Sequence, residues 1–228
     1  MRIEELNWMD IEKYLKMDDR IMLVLGACEQ HGYLSLLTDI KIPQALADAA
    51  SKRSGVLVAP PLNFGVSPHF TTYPGTISLK VNTFLQVVED IVMGLYAQGF
   101  KRILILNGHG GNNLVSARLT EIRNEHAGLK IGWYAWWTAP SVTKAAEAHG
   151  LKSYHAAWIE AFPFVRVVEL PRGEKEAAVA RPIQNASEIR AVYGDGVFGG
   201  PYQVADSIMD EIFETAVKDI LGLLAFEA

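Results

Sequence analysis

The sequence predicts an α/β fold, a three-layer αβα sandwich with a mostly parallel central sheet. Short apolar runs such as residues 20–27 and 101–107 alternate with longer segments of helical periodicity. Parallel strands need helical crossovers and are buried on both faces, so they are apolar throughout. The chain has 228 residues, 50% of them hydrophobic, which suffices for one sizeable core, and we expect a single domain over 1–228.

The first half of the chain contains two strands and two helices. RIMLVLGA (20–27) is a buried strand, and a helix is expected over 43–55, with Pro43 at its first position and Gly55 after its end. A short strand over 56–60 follows. The clearest helix covers 82–99, where Asn82 can cap the start and Gly99 can close the end.

The second half repeats the alternation. A strand from residue 101 ends in a glycine-rich turn, NGHGG, and a further strand covers 129–137. The helices expected here are 113–126, 141–150, 155–164 and 203–224. The charged segment 171–182 is expected to be a solvated excursion, or one that crosses into a neighbouring subunit.

Composition narrows the class of protein. The net charge is -5 and the basic residues are scattered, so no nucleic-acid-binding surface is indicated. No apolar run reaches the roughly 18–20 residues of a membrane span, and the acidic start MRIEELNWMD is unlike a signal peptide. Cys28 is the only cysteine, which excludes an intrachain disulfide. A cytoplasmic protein without a membrane or nucleic-acid partner is expected.

Polar side chains follow the first strand in LGACEQHGYLSLLTD (25–39). Glu29 and His31 are two residues apart, so in an extended segment both side chains point to one side. Asp39 lies eight residues beyond His31, past Gly32, where the chain can turn back. Ligand sites of parallel sheets form at the carboxyl ends of the strands, and this segment lies at such an end.

Two further segments supply ligands of the same kind. His109 sits between glycines in NGHGG, and Glu160 lies in HAAWIEAF (155–162). The set of two imidazoles and three carboxylates suits zinc, manganese or iron(II), and an aspartate can bridge two ions. Such a pair lowers the pKa of a shared water and gives hydroxide near neutral pH. The candidate metal ligands are Glu29, His31, Asp39, His109 and Glu160.

Each motif alone has a simpler interpretation. Two acids and a histidine often form only a polar loop, and NGHGG could be a phosphate-binding turn or a tight strand-to-helix connection. Its glycines do not match a dinucleotide fingerprint, and it lacks the Lys-Ser/Thr of a P-loop. The combination is more informative, because both motifs follow the two strongest strands.

Together these motifs resemble the creatininase family, whose signature is roughly G-x-x-E-Q-H-G-P-H-L-P-L-x-T-D. YPGTISL (73–79), NGHGGN (107–112), HAAWIEAF (155–162) and DGVFGGPYQVA (195–205) resemble later blocks in the family's order. The likeness covers most of the chain. It implies an αβα sandwich, a metal-dependent amidohydrolase that acts on a small molecule, and a homohexamer.

The resemblance also implies roles for individual residues. Two divalent ions per subunit, zinc with manganese or iron as alternatives, would be held by the five candidate ligands with Asp39 as the bridge. In creatininase a carboxylate follows the N-G-H histidine by two residues; Gly111 stands there in this chain, and Glu160 is expected to supply the missing ligand. His155 matches the histidine thought to shuttle protons to the leaving nitrogen.

The chain departs from the family pattern in the segments that would contact a substrate. The first loop is one residue shorter than usual, and Tyr33-Leu34 stands where the family has a second histidine. Phe70 occupies the usual place of another histidine, and His69 is displaced by one position. We expect the pocket wall to differ from that of creatininase itself.

Three aromatic residues are candidate substrate contacts, namely Tyr73, Trp136 and Trp137. Core or subunit packing is the alternative for each. Cys28 fits a small buried residue beneath the metal loop; a nucleophilic thiol is the alternative, although the neighbouring Glu29 would raise its pKa.

The predicted function is therefore hydrolysis of an amide or cyclic amide C–N bond in a small polar molecule by a metal-bridging hydroxide, with His155 as proton shuttle. One alternative is hydrolysis of a formamide of a pyrimidine intermediate, or of a cyclic keto-sugar, on the same scaffold. The others are a non-catalytic metal- or nucleotide-binding subunit and a cysteine hydrolase.

Overall fold

The computed structural model describes residues 1–178 and 183–227 and has a four-stranded parallel sheet at its centre. The spatial order is β2-β1-β3-β4. The strands are β1 (Arg20–Leu25), β2 (Leu57–Val58), β3 (Arg102–Asn107) and β4 (Lys130–Ala135). Leu25 pairs with Asn107, so β1 and β3 end at the same level. The residues that follow these two strands therefore emerge side by side.

Helices cover both faces of this sheet. They are α1 (Trp8–Leu15), α2 (Thr38–Ser54), α3 (Val81–Gln98), α4 (Val115–Glu125), α5 (Pro140–Ala148), α6 (Ala186–Tyr193) and α7 (Asp206–Leu223). Buried side chains of α2, α5 and α7 form one apolar cluster with Met22 and Val24 of β1. Those of α1, α3 and α4 form a second cluster with Ile21 and Leu23. Successive side chains of β1 thus pack alternately into two cores, one on each face of the sheet, and the predicted three-layer arrangement is confirmed.

A small antiparallel pair stands apart from the central sheet. It joins β5 (Glu174–Lys175) to β6 (Gly200–Pro201). The charged segment 171–182 therefore contains a short paired strand. Its residues 179–182 lie outside the described part of the chain.

Several predicted helix starts are wrong. α2 begins at Thr38, so Pro43 lies inside the helix and is not its first residue. α3 begins at Val81 after Lys80, without a side-chain cap from Asn82, although Gly99 closes it in the left-handed conformation at φ 109°. α7 begins at Asp206, three residues later than expected.

Two other expectations fail for physical reasons. Residues 155–164 form two short 3₁₀ turns, Trp158–Glu160 and Pro163–Val165, because Ala156 has a φ of 58° and Pro163 cannot continue a helix. β4 ends at Ala135, and Trp136–Thr138 form another 3₁₀ turn.

The sequence analysis missed two helices, α1 and α6. Each starts with a capping box, Asn7 with Asp10 and Asn185 with Glu188, in which each side chain bonds the other residue's backbone N–H. This signal was readable in the sequence as N-x-x-D and N-x-x-E.

Candidate metal centre

The five predicted ligands converge at the carboxyl end of the sheet. Glu29 and His31 follow β1, Asp39 is the second residue of α2, His109 follows β3, and Glu160 ends the 3₁₀ turn after residue 157. All five side chains are buried, with exposed fractions between 1% for Glu29 and 8% for Glu160. The structure therefore brings together residues that span more than half of the chain.

Asp39 lies at the centre of this cluster. Its Oδ1 is 2.9 Å from His31 Nε2, and its Oδ2 is 3.0 Å from His109 Nδ1. His31 Nε2 is also 3.7 Å from Glu160 Oε1, and His109 Nδ1 is 3.3 Å from Glu29 Oε1. The ligands thus form two groups of three that share Asp39, one with His31 and Glu160 and one with Glu29 and His109, and a third group joins Glu29 and His31 to His155.

The outer contacts of the two histidines orient their inner nitrogens. His31 Nδ1 lies 3.2 Å from the carbonyl oxygen of Glu29, and His109 Nε2 lies 2.9 Å from that of Val66. A carbonyl accepts a hydrogen, so each outer nitrogen donates, and each inner nitrogen, which faces Asp39, is left to bind either a proton or a cation. Histidines that bind metals are held in this way.

Unpaired polar atoms in this buried cluster indicate that a cation fits there. Within the described residues, Glu29 Oε2, His31 Nε2 and Asp39 Oδ2 are buried and have no hydrogen-bond partner. A buried polar group without a partner is costly, and such groups are rare in native proteins. Tetrahedral zinc with bonds of about 2.0–2.2 Å places its ligand atoms roughly 3.3–3.6 Å apart, close to the distances above. The residues present therefore fit a pair of divalent ions.

The charges of the cluster are strongly coupled. Burial opposes ionisation of Asp39, but the positive charges on the nearby His31 and His109 outweigh it and hold its pKa well below the usual range. Burial by itself would lower the pKa of His31. The Asp39 and Glu160 carboxylates raise this pKa by more than burial lowers it, so it lies well above its ordinary value. Three clustered carboxylates thus demand positive charge, from protons or from cations.

Gly108 allows the two halves of the site to meet. A Cβ at this position would lie 1.9 Å from the carbonyl oxygen of Asp39, so only glycine lets the end of β3 pass against the first turn of α2. Pro43 has no N–H to bond that carbonyl from the next turn of the helix. The close approach sets Asp39 beside His109.

Gly111 takes the position of the carboxylate expected in creatininase. A Cβ there would lie 2.0 Å from the Val66 carbonyl oxygen and 2.5 Å from His109 Nε2. This backbone has no room for a side chain at residue 111. Glu160 approaches from the other side of the cluster, where its Oε2 accepts a hydrogen bond of 2.6 Å from the Ala156 N–H.

A cavity of about 600 Å³ opens onto the cluster. His155 and Trp137, two of the site residues predicted from the sequence, line it. Phe70 and Phe198, which the sequence analysis did not select, also line it. The family pattern marks the position of Phe70, whereas nothing in its local sequence distinguishes Phe198 from a core aromatic.

Two of the predicted substrate contacts do not line this cavity. Trp136 is only 2% exposed and packs edge-on against Phe162, because β4 ends two residues earlier than predicted and the 3₁₀ turn that follows directs this indole into the core. Tyr73 is 9% exposed and packs against Phe70, which stands in the cavity wall. The structure places both residues in packed interiors.

His155 stands at the edge of the cluster. Its Nδ1 is 3.9 Å from Glu29 Oε1, and its ring stacks on Phe70 at an interplanar angle of 9°. Burial, followed by the nearby charge of His31, lowers the pKa of His155 to about 4. His155 is therefore held in a fixed plane with one nitrogen toward the ligands.

Within residues 1–178 and 183–227, Cys28 has none of the partners of a nucleophilic thiol. Its Sγ donates to the Gly75 carbonyl at 3.3 Å, and burial raises its pKa. A raised pKa reduces the thiolate fraction, which argues against a cysteine hydrolase.

A family model described as creatininase, creatinine amidohydrolase, matches residues 4–224 of the chain. The chain belongs to the creatininase family. A creatinine amidohydrolase of Pseudomonas putida is 31% identical over 150 residues, which are 59% of this chain and 57% of that protein. A mycofactocin precursor peptide peptidase of Mycobacterium ulcerans is 27% identical over 218 residues, 90% of this chain and 84% of that protein.

Solved creatininase structures share the fold. A crystal structure of creatinine amidohydrolase (creatininase) has a TM-score of 0.77 at 23% identity, covering 98% of this chain and 96% of that chain. The structures of similar fold include a Zn-Zn and a Mn form of creatininase. In the sequence comparison, the chain spans little more than half the length of the creatinine amidohydrolase that it matches. Among residues 1–178 and 183–227, no helix combines the length and the apolar character that crossing a bilayer requires.

Proposed function

We propose that this creatininase-family chain is a metal-dependent amidohydrolase that cleaves a C–N bond of a small polar molecule. One observation carries the proposal: two groups of three buried ligands share Asp39 and open onto a cavity of about 600 Å³. A structural metal site would be closed to solvent, whereas catalytic sites keep an open side. The family membership supports the same reaction class.

His31, Asp39 and Glu160 would hold one ion, and Glu29, Asp39 and His109 the other. When bound, divalent ions supply a Lewis acid for the substrate carbonyl and lower the pKa of water. We propose zinc, with manganese or iron as alternatives, because the imidazole and carboxylate set suits all three.

The chain's own residues would orient the substrate beside this centre. Phe70, Phe198 and Trp137 supply apolar wall area, which excludes water and favours a flat or partly apolar group. His155 lines the wall with its Nδ1 3.9 Å from Glu29 Oε1, so it is placed to contact the reacting amide. The resemblance gives it the role of proton shuttle.

A peptide amide is a second candidate substrate. The similarity to the mycofactocin precursor peptide peptidase extends over 90% of this chain, against 59% for the creatinine amidohydrolase. The cavity wall also departs from the creatininase pattern at Phe70, which stands where the family has a histidine. These observations favour a larger amide than creatinine.

A substrate panel tests both candidates. Protein loaded with zinc or manganese would be incubated with creatinine, formamides, a cyclic keto-polyol and short peptides, and the products identified by mass spectrometry. We expect turnover of at least one amide, lost on chelation and restored by added metal. Full activity after complete chelation, or none on any amide with both sites filled, would contradict the proposal.

We further propose that the chain forms a homo-oligomer, with the homohexamer of the resemblance as the specific expectation. Val167 and Val168 are 58% and 56% exposed, and Leu36, Leu37 and Phe164 add exposed apolar surface. Multi-angle light scattering would test this, and a monomer at micromolar concentration would contradict it.

A further inference from the structure

Gln30, between two candidate ligands in the sequence, has a buried side chain with fully defined partners. It is 5% exposed. Its Oε1 accepts a hydrogen bond of 3.0 Å from the Gly32 N–H, and its Nε2 donates one of 3.1 Å to the Gly196 carbonyl. A backbone N–H only donates and a carbonyl only accepts, so these two contacts fix which end of the amide carries the hydrogens.

The same amide nitrogen meets His155. Gln30 Nε2 lies 2.9 Å from His155 Nε2. Because the amide nitrogen can only donate, His155 Nε2 must accept and carries no hydrogen. The single hydrogen of the imidazole then resides on Nδ1.

One acceptor competes for a hydrogen on Nε2. The backbone carbonyl oxygen of Gln30 lies 3.3 Å from His155 Nε2. If His155 Nε2 carried a hydrogen and donated it to this oxygen, the N–H of the Gln30 amide, whose nitrogen is 2.9 Å away, would face another donor and be repelled. The side chain of Gln30 therefore decides between the two tautomers, and the backbone of the same residue would take over if the amide were absent.

The Nδ1 edge of His155 is the edge that faces the reaction centre. It lies 3.9 Å from Glu29 Oε1, which is too far for a hydrogen bond, and both residues line the cavity. The stack on Phe70 holds the ring plane. Within the described part of the chain, an Nδ1–H in this position has no acceptor and is directed to where a substrate atom would lie.

We propose that Gln30 is a positioning residue that fixes His155 in the Nδ1–H tautomer, so that His155 meets the substrate as a hydrogen-bond donor to the carbonyl oxygen. That the acceptor is a substrate carbonyl oxygen rests on the proposed function. The tautomer of His155 is inferred from the hydrogen bonds of Gln30 alone and does not depend on that function. In this tautomer the Nε2 lone pair faces the amide of Gln30, so His155 would act as a hydrogen-bond donor in place of the proton shuttle that the resemblance implies. A donor aimed at the oxygen that gains negative charge stabilises the transition state directly.

The proposal gives a role to the DGVFGG segment. Gly196 has a φ of 90°, and a Cβ there would lie 1.7 Å from Gln30 Oε1. Asp195 fixes this turn by accepting hydrogen bonds of 3.1 Å from the Val197 N–H and 3.2 Å from the Tyr202 hydroxyl. The segment thus holds the carbonyl that orients the amide of Gln30.

Nitrogen-15 NMR of histidine-labelled, zinc-loaded protein reads the tautomer directly. The chain has six histidines, so the spectrum is tractable, and His155→Asn assigns the signal. We expect the wild-type His155 to carry its hydrogen on Nδ1. Gln30→Met, of similar length but without a donor, should move the hydrogen to Nε2 and lower kcat on an amide substrate about 100-fold, with a much smaller change in KM.

Gln44→Met is the matched control. Gln44 is also buried, at 8% exposed, and its Nε2 donates to Asp48 on α2. It should leave both the His155 tautomer and kcat unchanged.

A hydrogen on Nε2 in the wild-type protein, or an unchanged tautomer in Gln30→Met, would overturn the proposal. The wild-type spectrum alone reports the tautomer of His155, so the proposal can still be tested if Gln30→Met folds poorly. Absence of amide hydrolysis in the zinc-loaded wild type would refute the proposed function instead, and the spectra would still decide the role of Gln30.

Discussion

Replacing Asp39 by asparagine should remove one of two metal ions while leaving the fold intact. The two carboxylate oxygens face different histidines, at 2.9 Å from His31 and 3.0 Å from His109. Asparagine has nearly the same shape but offers one oxygen and one NH₂, and the NH₂ cannot bind a cation. Whichever way the amide turns, one group of three ligands falls to two.

The magnitude follows from what is lost. Loss of an outer partner of a metal ligand typically costs about 10–100-fold in affinity. Here a direct ligand and one of three negative charges disappear, so we expect at least about 100-fold weaker binding of one ion, or about 3 kcal/mol. The other ion retains its three side chains and should bind more weakly only through the lost charge.

Calorimetric titration of chelator-stripped protein with zinc, supported by elemental analysis, measures the stoichiometry. Wild-type protein should bind two ions per chain and Asp39→Asn one. Asp90→Asn is the matched control, because Asp90 is an exposed carboxylate on α3 and its loss should leave two ions. Two tightly bound ions in Asp39→Asn would refute the bridging role.

Three further predictions follow from packing and burial. Gly108→Ala should cost about 1–3 kcal/mol of stability and weaken zinc binding, whereas Gly94→Ala, at an open helical position, should be neutral or stabilising in the same denaturation and titration experiments. Trp136→Ala should cost about 3–5 kcal/mol in chemical denaturation because this indole is buried, whereas Trp137→Ala should mainly raise KM. Burial raises the pKa of Tyr14 from 10.0 to about 12, so its stabilising contribution is complete below pH 10 and is lost as the pH rises through 12. Tyr14→Phe should therefore flatten the loss of stability between pH 10 and pH 12, and a mutant that declined as steeply as the wild type would contradict this.

Local signals were sufficient to predict which polar side chains the fold brings together. Glu29 and His31 are two residues apart and follow an apolar strand, and His109 lies between glycines after another. Because β1 and β3 are neighbours in register, both segments reach the same place. The approach of Asp39 to His109 additionally requires a glycine at position 108. In the sequence Gly108 is recognisable only as part of a turn, so this requirement was not predictable.

The cavity wall was not predictable in the same way. Trp136 and Trp137 are adjacent in the sequence, but β4 ends two residues before its predicted end, and the 3₁₀ turn that follows buries Trp136 and leaves Trp137 at the cavity. Strand ends depend on tertiary contacts that no local pattern encodes. Tyr73 does not line the cavity either and packs against Phe70, which does.

Gln30 shows a second limit of sequence reasoning. Its amide contacts residues 125 and 166 positions away, His155 and Gly196. No spacing in the sequence relates these three residues. Only the folded chain shows that a buried amide orients the imidazole.

Anomalous diffraction from crystals of zinc-loaded protein tests the central claim most directly. We predict two zinc peaks, one on each side of Asp39, with one oxygen of that carboxylate bound to each ion. A single peak, or two peaks with Asp39 turned away from either, would contradict the shared-carboxylate centre.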